Sequence, residues 1–156
     1  MTVDLSPRRA NLPVGMIDRL PPQSIEAEQS VLGSILIDRD AVVEVAEFLR
    51  PEDFYRQANG LVFGAILDLF ERREPIDIVT VAEGLERRGE LDQVGGRTYL
   101  STLSNQTPTA VHVLQYARIV ERKAVLRHLI SAAGKIAGIG YEDPAEIQEA
   151  IDRAEA

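Results

Sequence analysis

Six acidic residues stand in three close pairs: Glu26 with Glu28, Glu52 with Asp53, and Glu142 with Asp143. Paired carboxylates are raw material for general acid–base chemistry, because one can hold a proton while its neighbour accepts one. Such catalysis needs two acids converging in one pocket with displaced pKa values. Each pair here falls where a helix is predicted to begin, and helix first turns and caps explain all three. His112 and His128 are too far apart along one predicted helix to chelate an ion together, and each reads as a surface or packing residue. Cysteine is absent, so there is no disulfide framework and no thiolate metal site. The nucleotide-binding loop G-x-x-x-x-G-K-[ST] is also missing. The one Gly-Lys pair, Gly134-Lys135, has Leu129 where the first loop glycine belongs and Ile136 where Ser or Thr belongs. No serine or threonine has an evident base beside it. The pairs Arg8-Arg9, Arg72-Arg73 and Arg87-Arg88 are small for a nucleic-acid patch. The chain therefore reads as carrying no catalytic, cofactor or metal residues of its own.

The elements that would position any site are helical. Residues 1–21 carry no apolar period, and Pro7, Pro13 and Gly15 interrupt any helix, so they read as a flexible tail. Ser24 caps a helix with Ile25, Leu32, Ile35 and Leu36 on one face and Glu26 and Glu28 near its positive end. Asp38 or Asp40 caps the next, with Val42, Val45, Ala46 and Leu49 at helical spacing before Pro51 stops it. Ala58, Val62, Ala65, Ile66 and Leu69 stripe a third, with Phe63, Leu67 and Phe70 on a second flank. Asp77 is the N-cap of a fourth, whose stripe is Ile78, Val81, Ala82 and Leu85. Arg87 and Arg88 sit in its last turn, and Gly89 can take the left-handed stop. A Gly95-Gly96 break precedes a short helix over Tyr99 to Leu103. Alternating strand patterns are nearly absent, so the fold class is all-α, with residues 22–110 forming a compact head.

The rest of the chain, residues 111–156, reads as a long helical hairpin. No proline interrupts Val111 to Ile139. Val113, Ala117, Val120 and Ala124 face one way, whereas Leu126, Ile130, Ala133 and Ala137 lie about half a turn or more around the cylinder at ~100° per residue, with Leu129 and Ile136 widening that second face. One neighbour needs one stripe, and this helix needs two. Gly138, Gly140 and Tyr141 then form a turn. Asp143-Pro144-Ala145-Glu146 reads as a helix start with an Asp cap, proline at the first position and a capping box. Ile147, Ala150, Ile151 and Ala154 stripe the returning helix. Either the small residues Ala132, Ala133, Gly134, Ala137 and Gly138 pack within one hairpin, or a second copy of the hairpin covers the leftover apolar surface.

Charge is uneven. Residues 1–21 carry a net +1, residues 22–110 a net −8, residues 111–139 a net +4 and residues 140–156 a net −5. An acidic head gains nothing from counterion release, so residues 22–110 are not expected to grip DNA. The two hairpin arms are of opposite sign, but exposed pairs give only ~0–1 kcal/mol each, so the aliphatic stripes must dominate their pairing. A hydrophobic fraction of 45% supports a core of one domain, and four Phe and four Tyr leave it mainly aliphatic. No apolar run approaches the ~20 residues that span a bilayer. The N-terminus does not read as a signal peptide.

Several short pieces occur in a fixed order: Pro22, Ile25, Ala27-Glu28, Val31-Leu32-Gly33, Pro51-Glu52-Asp53-Phe54, Val62-Phe63, Asp77 to Glu83, Gly89-Glu90-Leu91, Gly95-Gly96 with Tyr99-Leu100, and Tyr116-Ala117 with Val120. In order and spacing they resemble the N-terminal domain of the bacterial replicative DNA helicase, the DnaB-type hexameric helicase, over roughly Pro21 to Ile139. Members often carry histidine where this chain has Asn59. The resemblance implies a non-catalytic collar domain that pairs through its hairpin, forms a hexameric ring as a trimer of dimers, and receives the C-terminal domain of primase at the replication fork. The parent would bind ATP and Mg in a C-terminal ATPase domain following Ala156. It would unwind duplex DNA 5′-to-3′ on single-stranded DNA passing through the ring, in the bacterial cytoplasm and away from any membrane. The expected interaction residues are Ile119, Leu126, Ile130, Ala133 and Ile136, with Tyr116 and Arg122 at a boundary. Two other readings share parts of this pattern: a generic dimeric helical adaptor with no replication role, and a small α-helical enzyme using paired carboxylates.

Overall fold

The structure is a computed structural model and describes residues 20–156. The expected tail, residues 1–21, lies outside the described residues except for its last two positions. Among the described residues there are eight α-helices and no strand: α1 Ile25–Ile37, α2 Ala41–Val45, α3 Gln57–Glu71, α4 Ile78–Arg87, α5 Leu91–Val94, α6 Gly96–Gln106, α7 Val113–Tyr141 and α8 Ile147–Glu155. A 3₁₀ turn, Pro51–Asp53, lies between α2 and α3.

α1 is the central element. Ser24 Oγ accepts from the Ala27 amide at 3.2 Å and starts the helix. Ala27, Val31, Leu32 and Ile35 are buried, because α2, α3, α6 and α7 pack around it. This burial is wider than the single predicted stripe, and it includes positions on two sides of the cylinder. Gly33 sits at the tightest crossing. A Cβ there would fall inside the van der Waals envelopes of Thr107 Oγ1 and the Leu103 carbonyl oxygen, at the end of α6. Gly33→Ala is therefore expected to overpack the crossing and cost ~1–3 kcal/mol, read by denaturant unfolding. A variant as stable as the parent would show that α6 can move aside freely.

The α4 reading holds in atomic detail. Asp77 Oδ1 accepts from Thr80 N at 2.8 Å, and Thr80 Oγ1 accepts from Asp77 N at 2.9 Å, a reciprocal capping box. Val81, Ala82 and Leu85 are fully buried, and Gly89 turns left-handed with φ of 69°. Arg88 is one residue past the helix and pairs with Asp68 of α3 at 3.6 Å. At the second helix, Asp40 occupies the N-cap without a side-chain bond, while Asp38 Oδ1 accepts from the Asp40 amide at 3.0 Å.

Four boundaries differ from expectation. α2 is regular only to Val45, although Leu49 remains buried through a turn in which its amide donates to the Val45 carbonyl. Pro51 opens the 3₁₀ turn, and Asp53 Oδ2 accepts from the Arg50 amide at 2.9 Å. α5 was not expected, and α6 opens at Gly96, directly after Gly95 with φ of 102°. The predicted turn at Gly138 to Tyr141 does not form. α7 runs through those residues, and Asp143 takes the left-handed conformation, φ 49°, that terminates it. A residue committed to that stop cannot also be an extended N-cap, so the Asp143 capping box is absent and α8 opens only at Ile147.

Candidate protein-interaction surface

α7 has two environments. Val113, Ala117, Val120 and Ala124 are buried against the head, and no residue of α7 beyond Ala124 is buried. Past that point the helix leaves the head with α8 beside it. Arg153, Ala154 and Ala156 share a groove with His128, Ser131, Ala132, Lys135, Ile136 and Ile139, so α8 runs back antiparallel along α7 and Ile136 sits at the edge of that contact. The small residues Ala150 and Ala154 are half-buried in that contact, while Ile147 and Ile151 point outward.

The remaining face of α7 is apolar and open. Ile119, Leu129, Ile130 and Ile136 are 40%, 61%, 45% and 50% exposed. At ~100° per residue, Ile119, Arg122, Leu126, Ile130 and Ala133 fall within an arc of about 80°. Arg122 and Ala133 are exposed, and Leu126 is half-buried. Ile136 lies to one side of that arc beside Leu129. Tyr116 is turned towards the head and packs on its core. Val125, 51% exposed, belongs to the same open surface and was missed, because a lone valine between two assigned stripes gave no signal.

The oppositely charged arms are not stitched together by ion pairs. Among the described residues no salt bridge joins a basic residue of α7 to an acid of α8. The hairpin's ion pair links Arg153 to Glu142 in the connection, at 2.7 Å. That hydrogen bond and the Arg153 charge hold the Glu142 carboxyl below the ordinary glutamate value, and Glu142 raises Arg153 in return. A depressed carboxyl supplies stability above its unfolded pKa, lost as pH falls through the lower folded value. The contact should thus be intact at neutral pH and weaken only in acid below the usual glutamate range. In an NMR titration, Arg153→Ala should move the Glu142 midpoint upward to the ordinary value. An unmoved midpoint would mean that the pair does not persist in solution.

The base of the hairpin is held by residues that periodicity did not single out. Arg127 donates through Nη1 to the Pro22 carbonyl at 2.8 Å and through Nη2 to the Asp53 carbonyl at 2.6 Å. Its guanidinium lies 5.5 Å from the Tyr55 ring centroid. The segment carrying Asp53 and Tyr55 is also gripped from the core. Glu28, expected to serve the start of its own helix, is instead buried, and its carboxylate faces the start of α3. It accepts from the Tyr55 amide at 2.7 Å, the Arg56 amide at 3.3 Å and Asn59 Nδ2 at 3.0 Å. Tyr99 Oη donates to Asn59 Oδ1, so the network reaches α6. Arg56, the N-cap residue of α3, makes no side-chain cap, and Glu28 supplies the anion from another helix.

The other carboxylate pairs do not converge. Glu26 is exposed while Glu28 is buried, Asp53 holds the Arg50 amide, and Glu142 pairs with Arg153 beside the left-handed Asp143. Among the described residues no group of three or more His, Asp or Glu is placed to hold a metal ion, and no helix is long and apolar enough to cross a membrane.

A family model described as the DnaB-like helicase N-terminal domain matches residues 20–122. The replicative DNA helicase DnaB of Geobacillus stearothermophilus is 49% identical over 138 residues, 88% of this chain and 30% of that protein. That of Mycobacterium leprae (strain TN) is 49% identical over 140 residues, 88% of this chain and 23% of that protein. The chain thus spans less than a third of the length of these relatives. The crystal structure of the N-terminal domain of DnaB helicase from Mycobacterium tuberculosis superposes with a TM-score of 0.83 at 51% identity, covering 87% of this chain and 96% of that one. A DnaB-like replicative helicase, solved with attention to its interactions with primase, superposes with a TM-score of 0.68 at 30% identity, covering 83% of this chain and 30% of that one.

Proposed function

The chain belongs to the family of DnaB-like helicase N-terminal domains, and on that premise we propose that it is the assembly and docking domain of a replicative DNA helicase. In this reading residues 22–110 form the head and residues 111–156 the hairpin through which copies pair. Three pairs build the collar of a hexameric ring, and the collar receives the C-terminal domain of primase. The chemistry belongs to the parent: a following ATPase domain binds ATP and Mg and drives 5′-to-3′ unwinding in the bacterial cytoplasm. Single-stranded DNA passes through the ring without being gripped by this acidic head.

The observation that carries the proposal is the open apolar face of α7. Ile119, Leu126, Ile130 and Ala133 share one arc of α7 that turns away from the buried stripe, the last three beyond Ala124 where the helix has left its head, and Ile136 borders this arc at the edge of the groove against α8. Scattered single hydrophobics are normal on a surface, but a contiguous apolar strip on a projecting helix marks an interaction site. Light scattering across concentration tests the assembly half. The mass of the chain should rise saturably to twice its monomer value or a multiple of that. A monomer at every concentration, in folded protein, would contradict pairing through this face.

A further inference from the structure

α7 is a lever. Its contacts with the head are made by its first turns, where Val113, Ala117, Val120 and Ala124 are buried. From His128 to Tyr141 it projects ~21 Å at 1.5 Å per residue, so a change of ~10° at its base moves its tip by ~4 Å. The only residue among those described that makes side-chain hydrogen bonds from α7 beyond Ala124 to the head is Arg127. Its two acceptors are carbonyls of separate stretches outside the α-helices, Pro22 before α1 and Asp53 at the end of the 3₁₀ turn. One planar guanidinium can serve both at once, which a single ammonium cannot do with the same geometry. The Tyr55 ring limits the guanidinium on one side. The stretch holding Asp53 and Tyr55 is itself fixed, because Glu28 takes the Tyr55 and Arg56 amides from within the core. The chain of bonds thus runs from the centre of the head, through one short segment, to the foot of the lever.

We propose that Arg127 is a positioning residue that sets the angle between hairpin and head, and thereby the direction in which the apolar face of α7 is presented. This goes beyond the docking role, since the angle can be read with no partner present. The chain has no cysteine, so nitroxides on Arg97→Cys and Gln148→Cys, both exposed sites, report one head-to-hairpin distance by pulsed electron resonance. Labelled chain is diluted in unlabelled chain to suppress distances between copies. The parent should give one narrow distribution. Arg127→Met keeps the aliphatic stem and removes the donors. It should broaden or displace the distribution by ~4 Å or more, the tip movement that a ~10° tilt produces. Arg127→Lys, restoring the charge and one donor group, should lie between, and Arg87→Ala, at an exposed arginine of α4, should match the parent. Should Arg127→Met fail to fold, Arg127→Ala carries the same test. A parental distribution in either variant, with helicity retained by circular dichroism, would overturn the proposal, as would a broad distribution in the parent itself.

Discussion

Glu28→Ala should cost ~3–5 kcal/mol of unfolding free energy, a large share of the ~5–15 kcal/mol that holds a domain of this kind together. The side chain is 1% exposed and accepts from two backbone amides and the Asn59 side chain. Deleting it strands all three donors, and each buried unsatisfied group costs ~1–3 kcal/mol. It also removes the anion from the start of α3, where helix amides favour negative charge. Glu28→Gln should fall between parent and Ala. It keeps the volume and one oxygen, but turns an amide donor towards backbone donors. Denaturant unfolding monitored by circular dichroism reads the order parent, Gln, Ala. A Glu28→Ala variant within 0.5 kcal/mol of the parent, a margin typical of neutral surface changes, would mean that water replaces the carboxylate without penalty.

Ile130→Asp should leave the fold intact and abolish association. Ile130 is 45% exposed and lies outside the core, so the monomer loses little. Once a second copy or primase covers the face, the new carboxylate is buried without a partner. A cost of ~3 kcal/mol weakens binding by more than 100-fold. Light scattering of the variant should show monomer where the parent shows the larger species, or calorimetry should show lost primase binding. Parental behaviour in both would remove the distal face of α7 from the interface.

The head was legible where its signals are local. Asp77, Val81, Leu85 and Gly89 announce α4 within about a dozen residues, and cap, stripe and stop agree. Ser24 and the α3 stripe are of the same kind. The division of α7 into a head-facing half and an open half could also be read, because its apolar phase shifts along the helix. Asp143 failed for a definite reason: the same residue type suits a left-handed helix stop and an N-cap, and neighbouring residues favour both uses. Glu28 and Arg127 were hidden because their partners are distant in sequence. Glu28 bonds to amides 27 and 28 residues away, and Arg127 to carbonyls 105 and 74 residues away. One signal was available for Glu28. It shares the i, i+3, i+4, i+7 stripe with Val31, Leu32 and Ile35, and an acid on a buried stripe needs donors from elsewhere. Asn59 proves to be one of those donors and is fully buried.

The most direct test of the docking role is calorimetric titration of the whole chain with the C-terminal domain of its cognate primase. The expected result is saturable binding, with fewer primase domains than helicase chains if the site spans a pair of hairpins. Absence of heat and of co-migration, for chain that is folded and paired, would contradict the assignment of this domain as the primase receptor.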